Sequence, residues 1–170
     1  MASDFSPHGI GNHAVILTER DEALELKIKG LLESLHFTGF SNFDIKYDPR
    51  DGKYKAFELN CRQGRSNYYI TGAGYNLARV LVEDLVEHRA QPEPVLADKP
   101  SLMFAIPKKV AYAYIPKKYH TEMKALEKAG KSVNPLWYSK DRPLIHKLRI
   151  WHIQRKQFGW YETYAKKPIE

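Results

Sequence analysis

Cysteine is nearly absent from this chain of 170 residues: Cys61 stands alone. An internal disulfide and any multi-cysteine zinc cage are thereby excluded, and the usage suits a reducing compartment. No histidine is fixed beside Cys61 in sequence, so it reads as a small half-buried side chain after a strand rather than a nucleophile. The seven histidines are scattered singly from His8 to His152 and suggest no metal cluster. Long apolar runs are also missing, since none approaches the roughly 18 to 20 residues needed to cross a bilayer. The N-terminus, MASDFSPHGIGNH, lacks the basic start and apolar stretch of a secretion signal. The expectation is a cytoplasmic protein without a membrane span. Internal repeats and low-complexity tracts are absent too.

What is present is core-forming material and an uneven charge. At 43% hydrophobic and 12% aromatic residues, the chain can bury a core and reads as one soluble domain or a compact part of one. The net charge of +7 conceals an asymmetry. Residues 1–90 hold 11 Lys/Arg against 13 Asp/Glu, whereas residues 91–170 hold 16 against 7. A basic second half could face nucleic acid, a membrane surface or an anionic small substrate, and charge alone does not choose among them.

Patterning predicts an α/β (α+β) fold in which an antiparallel sheet is flanked by helices. Residues 12–18 suit a buried strand. A helix over 19–36 follows, with Thr18 and Asp21 resembling a capping box and Leu24, Ile28, Leu31, Leu32 and Leu35 forming a stripe against a sheet. Two strands, about 39–47 and 53–60, flank Asp48-Pro49-Arg50-Asp51-Gly52, whose Pro and Gly are turn residues. Residues 61–75 read as a loop, 76–90 as a helix, and 91–100, with Pro92, Pro94 and Pro100, as a linker. Beyond it, 101–106 and 109–115 read as short strands split by Pro107, and a helix runs from Pro116 to about Ala129, ended by Gly130. Residues 143–165 form a last helix with Leu144, Leu148, Trp151, Phe158 and Tyr161 roughly on one face. The domain organisation is a partial lobe over 1–90, the linker over 91–100, and a basic accessory region over 101–170.

Chemistry concentrates in the hairpin. Strand side chains alternate, so Phe40, Asn42, Asp44 and Lys46 share one face, and Tyr54, Ala56, Glu58 and Asn60 share one face of the next strand. With the turn centred near Asp51, Asp44 lies across from Glu58 and Asn42 from Asn60, with β-carbons about 4.5–5.5 Å apart. Opposed carboxylates repel, and a proton, a basic side chain or a cation must offset this. Asp44, Glu58 and Asn60 are hard oxygen donors that suit an open Mg2+ site completed by water and phosphates. Arg62 continues the alternation and could hold a transferring phosphoryl group or an oxyanion. Gly64 lets backbone amides approach an anion, and Asn42, Lys46, Gly64, Arg65 and Ser66 are the candidate nucleotide-phosphate contacts. The bland alternative is a solvated hairpin whose acids are neutralised by Lys46, Lys55 or Arg65. The run E-x-N-x-R, followed by Gln63-Gly64-Arg65-Ser66-Asn67, favours chemistry.

The segment GFSNFDIKYDPRDGKYKAFELNCRQGRSNYYITGAGYNLARVLVEDL resembles the C-terminal lobe of ATP-grasp carboxylate–amine ligases, most of all D-aspartate ligase-like proteins of peptidoglycan crossbridge synthesis. The likeness is dense over about 39–90, weaker over 11–38 and weakest after 100. It implies that Asp44, Glu58 and Asn60 hold one or two Mg2+ (or Mn2+) ions bridging ATP phosphates, and that Arg62 stabilises the acyl-phosphate or tetrahedral intermediate. The implied reaction phosphorylates a carboxylate with ATP and lets an amine attack the acyl phosphate. Residues 1–10 cannot supply the carboxylate-binding domain or the ATP-clamping lobe of such an enzyme. The resemblance therefore implies a C-terminal part, inactive alone, whose partners are ATP, a carboxylate such as D-aspartate, an amine such as a cell-wall precursor, and the missing lobes. The basic region, with Lys108, Lys109, Lys147, Arg149, Arg155 and Lys156 among Tyr and Trp residues, would help receive an anionic amine-bearing substrate. The rival reading is a basic nucleic-acid-binding module without a catalytic role. A third is a solvated basic helix whose aromatics are core.

Overall fold

The computed structural model describes residues 2–6, 9–89, 98–138, 140 and 143–165. Most of the expected linker, through residue 97, and His8 lie outside them. In chain order the elements are β1 (Ala2–Ser6), β2 (Gly9–Leu17), α1 (Glu22–Ser34), β3 (Asn42–Asp48), β4 (Lys53–Asn60), α2 (Tyr68–Gly72), α3 (Leu77–Leu85), β5 (Leu102–Phe104), α4 (Lys108–Tyr114), a 3-10 turn over Lys117–Tyr119, α5 (His120–Lys128), β6 (Ser132–Val133) and α6 (Leu144–Tyr164). The chain divides into two compact units, one made of Met1–Thr18 with Tyr68–Glu170 and the other of Glu19–Asn67.

The first unit is built on a sheet of order β1-β2-β5-β6. Ala14, Val15 and Ile16 are buried in succession, as are Ser101 to Phe104, so these central strands are covered on both faces and their sequence runs are continuously apolar rather than alternating. Side chains of Val15, Leu102, Phe104, Ile106, Val110, Met123, Leu126 and Tyr161 form the core. At the end of the β2/β5 pair, Thr18 donates its N–H to the Ser101 carbonyl (3.0 Å) and accepts the Ser101 N–H at Oγ1 (2.7 Å). Thr18 is thus spent on the sheet, and α1 is capped instead by Asp21, whose Oδ1 accepts the Leu24 N–H at 3.0 Å.

The sheet is mixed, not wholly antiparallel as expected. β1/β2 and β2/β5 are antiparallel, but β6 pairs parallel to β5. α4 and α5 form the crossover that a parallel return requires. Of residues 109–115, expected as a strand, 109–114 are helical and only Ile115 is extended. Val110, Tyr112 and Tyr114 mimic strand alternation, yet the buried pair is Val110 with its neighbour Ala111, and Tyr114 one turn on meets the Tyr161 ring at 5.0 Å. The Pro107 carbonyl accepts the Ala111 N–H to start that helix. Tyr112 donates its hydroxyl to Glu127 Oε1 at 2.6 Å, and Lys108 pairs with the same carboxylate. Burial, then the Glu127 contact, pushes the Tyr112 hydroxyl up to about 12. The expected loop over 61–75 contains the short helix α2, whose Gly72 abuts Ser101 and Val133. α6 forms as expected, but of its stripe only Tyr161 is buried, with Gln157; Leu144, Leu148, Trp151 and Phe158 are exposed.

The second unit holds α1 and the β3/β4 hairpin, and none of its residues is buried. The α1 stripe therefore covers no sheet within the unit: Leu31 and Leu35 are exposed, and Leu24, Ile28 and Leu32 only half-covered. The hairpin turn is ordered by its own polar groups. Gly52, at φ +68, donates its N–H to the Asp48 carbonyl at 2.9 Å. Asp48 accepts from the Arg50 guanidinium (2.8 Å) and the Lys55 ammonium (2.7 Å), and its side chain is only 11% exposed. These bonds, that of Arg50 foremost, hold the Asp48 carboxyl well below the usual carboxylate range.

Two outcomes are expected. A Cβ at Gly72 would collide with Ser101 Oγ and lie 2.9 Å from Val133 Cγ2, so Gly72→Ala should destabilise the first unit by about 1–3 kcal/mol in urea unfolding. Because the Asp48 pKa is depressed by folding, its contribution to the hairpin is complete above about pH 4 and is lost progressively as the pH falls below that. Protection of the Gly52 and Lys53 amides, taken as exchange relative to the intrinsic rate at each pH, should fall on acidification below that range, and Asp48→Asn should abolish that dependence.

Candidate functional site

The β3/β4 register sets what the hairpin can present. Asn42 pairs with Asn60, Phe43 with Leu59 and Asp44 with Glu58, the oppositions expected from the turn. Between Asp44/Glu58 and Ile45/Ala56 the register shifts by one residue, leaving Phe57 as a bulge on β4. This overturns part of the expected alternation. Lys55 lies across from Lys46 and Tyr54 from Tyr47, so Lys55 shares the face of Asp44, Glu58 and Asn60, and Tyr54 and Ala56 turn to the other. The Tyr47 and Tyr54 rings confirm the pairing at 5.3 Å, edge to face. Ala56-Phe57, two apolar residues in succession, is the place where the sequence itself breaks alternation.

The bulge brings Lys55 onto the carboxylates' face, but its charge is already committed. Its ammonium pairs with Asp48 at 2.7 Å and Asp51 at 2.8 Å, and these partners, Asp48 first, raise its pKa. Asp44 and Glu58 carry no ion pair among the described residues. Neither Lys46 nor Arg65 bonds to them among the described residues, so the neutralisation that the bland alternative required is not made.

Past β4, where Cys61 is exposed rather than half-buried as expected, the chain folds back beside the pair. Arg62 donates from Nη2 to Asn60 Oδ1 at 3.1 Å and from Nη1 to the Gln63 carbonyl at 3.3 Å, which fixes the guanidinium next to the Asn60 amide. Gly64 is packed so closely that a Cβ there would stand 2.8 Å from Asn42 Oδ1 and 2.6 Å from Asn67 Oδ1. Asn42, Asp44, Glu58, Asn60, Arg62 and Gly64 are therefore brought together. Lys46 lies on the same face one pair further toward the turn, while Arg65 and Ser66 sit in the turn after Gly64 without a hydrogen bond to the six. Asn67, which the sequence reading passed over, joins through Gly64.

Chemically the cluster is a set of hard oxygen donors with one fixed guanidinium. Asn60 Oδ1 has two lone pairs and Arg62 occupies one, so the amide can still act as a donor toward a cation. Two carboxylates and an amide oxygen form an open set suited to Mg2+, which keeps water and phosphate ligands. Among the described residues there is no group of three or more His, Cys, Asp and Glu side chains able to hold a metal ion.

No family model matches the chain, and no solved structure matches it. It is 38% identical over 175 aligned residues, 98% of its own length, to a D-aspartate ligase of Enterococcus faecium (strain Aus0004). The chain spans about 40% of the length of that curated relative. Over nearly its whole length, then, this α+β chain is similar to part of a ligase.

Proposed function

We propose that this chain carries the magnesium and nucleotide-phosphate half of an ATP-grasp carboxylate–amine ligase site, as the C-terminal lobe of such an enzyme. The observation that carries the reading is the Asp44–Glu58 pair: two carboxylates opposed across paired strands, without an ion pair among the described residues, beside a fixed arginine. The likeness to a D-aspartate ligase supports it independently.

In this reading Asp44, Glu58 and Asn60 hold Mg2+ (or Mn2+), and Asn42, Lys46, Gly64, Arg65 and Ser66 face the ATP phosphates. An ion bound there would neutralise phosphate charge during transfer. A carboxylate oxygen of the acid attacks the γ-phosphorus, ADP leaves, and the amine displaces phosphate from the acyl phosphate. Arg62, oriented by Asn60, holds the phosphoryl oxygens and then the tetrahedral oxyanion. D-aspartate is the proposed acid and a cell-wall precursor the proposed amine, received with help from the basic region 101–170. Lobes beyond this chain supply the carboxylate pocket and the second wall of the ATP site. The second unit's lack of any buried residue, with Leu26, Leu35, Tyr54 and Phe57 exposed, supports a surface that those lobes cover.

Calorimetry of the chain with Mg2+–ATP should give weak binding, in the millimolar range at about −4 kcal/mol. Glu58→Gln or Asn60→Ala should raise the Kd by about tenfold or more, and turnover by the chain alone should be undetectable. Tight oligonucleotide binding that is steeply salt-dependent and indifferent to Glu58→Gln would refute the reading in favour of a nucleic-acid module.

A further inference from the structure

Arg62 is exposed, and an exposed arginine ordinarily samples many rotamers. Here two acceptors hold it. Nη2 donates to Asn60 Oδ1 at 3.1 Å, and Nη1 donates to the Gln63 carbonyl at 3.3 Å. The first acceptor is itself a proposed cation ligand, so an arriving ion would share its lone pairs. The second is a backbone oxygen, and its place depends on the peptide that carries it.

That peptide joins Gln63 to Gly64. A peptide unit is planar, so the Gln63 carbonyl oxygen and the Gly64 α-carbon move as one body. Two asparagines close on that α-carbon. A Cβ there would lie 2.8 Å from Asn42 Oδ1, 3.1 Å from Asn42 Cγ and 2.6 Å from Asn67 Oδ1, so the two carboxamides occupy the space a side chain would fill. Asn42 approaches from β3, where pairing with Asn60 fixes its backbone. Asn67 approaches from the turn after Gly64 and also donates its N–H to the Gly64 carbonyl at 3.4 Å. All of these residues belong to the second unit.

We propose that Asn67 is a positioning residue for Arg62: with Asn42 it clamps Gly64, and through the rigid Gln63–Gly64 peptide it sets the carbonyl that aims the guanidinium. A methyl group at Gly64 would push the loop off β3 and carry that carbonyl with it. The guanidinium is thereby aimed before any ligand arrives, so little of its ordering is left to be done on binding. What Arg62 holds rests on the ligase reading above; that it is held does not.

The first measurement uses the isotopically labelled full chain without ligand and records the heteronuclear NOE of the Arg62 Nε–H. It should match the backbone in the wild type and fall to that of a mobile side chain in Asn67→Ala and Gly64→Ala, whereas Asn67→Asp, of the same shape, should keep it. Asn67→Ala alone decides if Gly64→Ala disturbs the backbone amides of β3 and β4. Calorimetry with Mg2+–ATP should then show Asn67→Ala weakening binding about fivefold or more in the wild-type chain and leaving it unchanged in Arg62→Gln, the coupling expected of residues that act through one another. An Arg62 that is mobile in the wild type, or whose order ignores Asn67, overturns the proposal. So does equal weakening by Asn67→Ala with and without the Arg62 guanidinium, since Asn67 would then act on the ligand or the fold directly. Arg62 order that depends on Asn67 in a chain that binds no Mg2+–ATP would remove the ligase reading and uphold the clamp.

Discussion

Asp44 and Glu58 face each other across paired strands, and two carboxylates so placed weaken the hairpin that carries them. Everything around them bears on how that repulsion is relieved. The turn is fastened by its own charges, with Asp48 and Asp51 drawing in Arg50 and Lys55. The Phe57 bulge rotates Lys55 onto the carboxylates' face, but the turn acids hold it. Arg62 is held by Asn60 rather than by either acid. The nearby bases thus have other partners or make no bond to the pair, and in the proposed reading a divalent ion with phosphate ligands is its complement.

The two units differ in how they are held. The first has a core of strand residues buried on both sides and closed by the Thr18–Ser101 bonds. The second has an ordered turn, a capped helix and no interior. A two-stranded hairpin is marginal in water without a third layer, so the unit that bears the candidate site is also the one that depends most on what it contacts. A site of this kind gains order from its ligand and from neighbouring protein, and both belong to the proposed ligase.

Much of this was legible in local chemistry. Asp48-Pro49-Arg50-Asp51-Gly52 specifies its turn without outside help, but counting back from its Asp48–Lys53 pair puts Asp44 opposite Phe57, and only the bulge there brings Glu58 across from it. Gly130 and Pro116 bound a helical segment for equally local reasons. What could not be read was set by distant contacts. Val110, Tyr112 and Tyr114 alternate as a strand would, yet packing with Tyr161 makes that segment a helix. β6, only two residues long, exists because β5 offers it an edge. Periodicity identified the apolar stripes of α1 and α6 but carries no information on whether anything covers them. The bulge left only the Ala56-Phe57 doublet as a trace, which strict alternation overlooked. In the candidate site itself, the opposition of acids was expected from a turn centred on Asp51 and holds because the bulge offsets the true centre, whereas the commitment of Lys55 to the turn and the packing of Gly64 on Asn42 required coordinates.

The central claim is that the acid pair is a cation site. Titrating the isotopically labelled chain with Mn2+ and recording backbone amide spectra locates a bound ion by its paramagnetic broadening. The account predicts that broadening begins around Asp44, Glu58 and Asn60 and is lost in Glu58→Gln. Broadening centred on Asp48 and Asp51, or none at millimolar Mn2+, would contradict it.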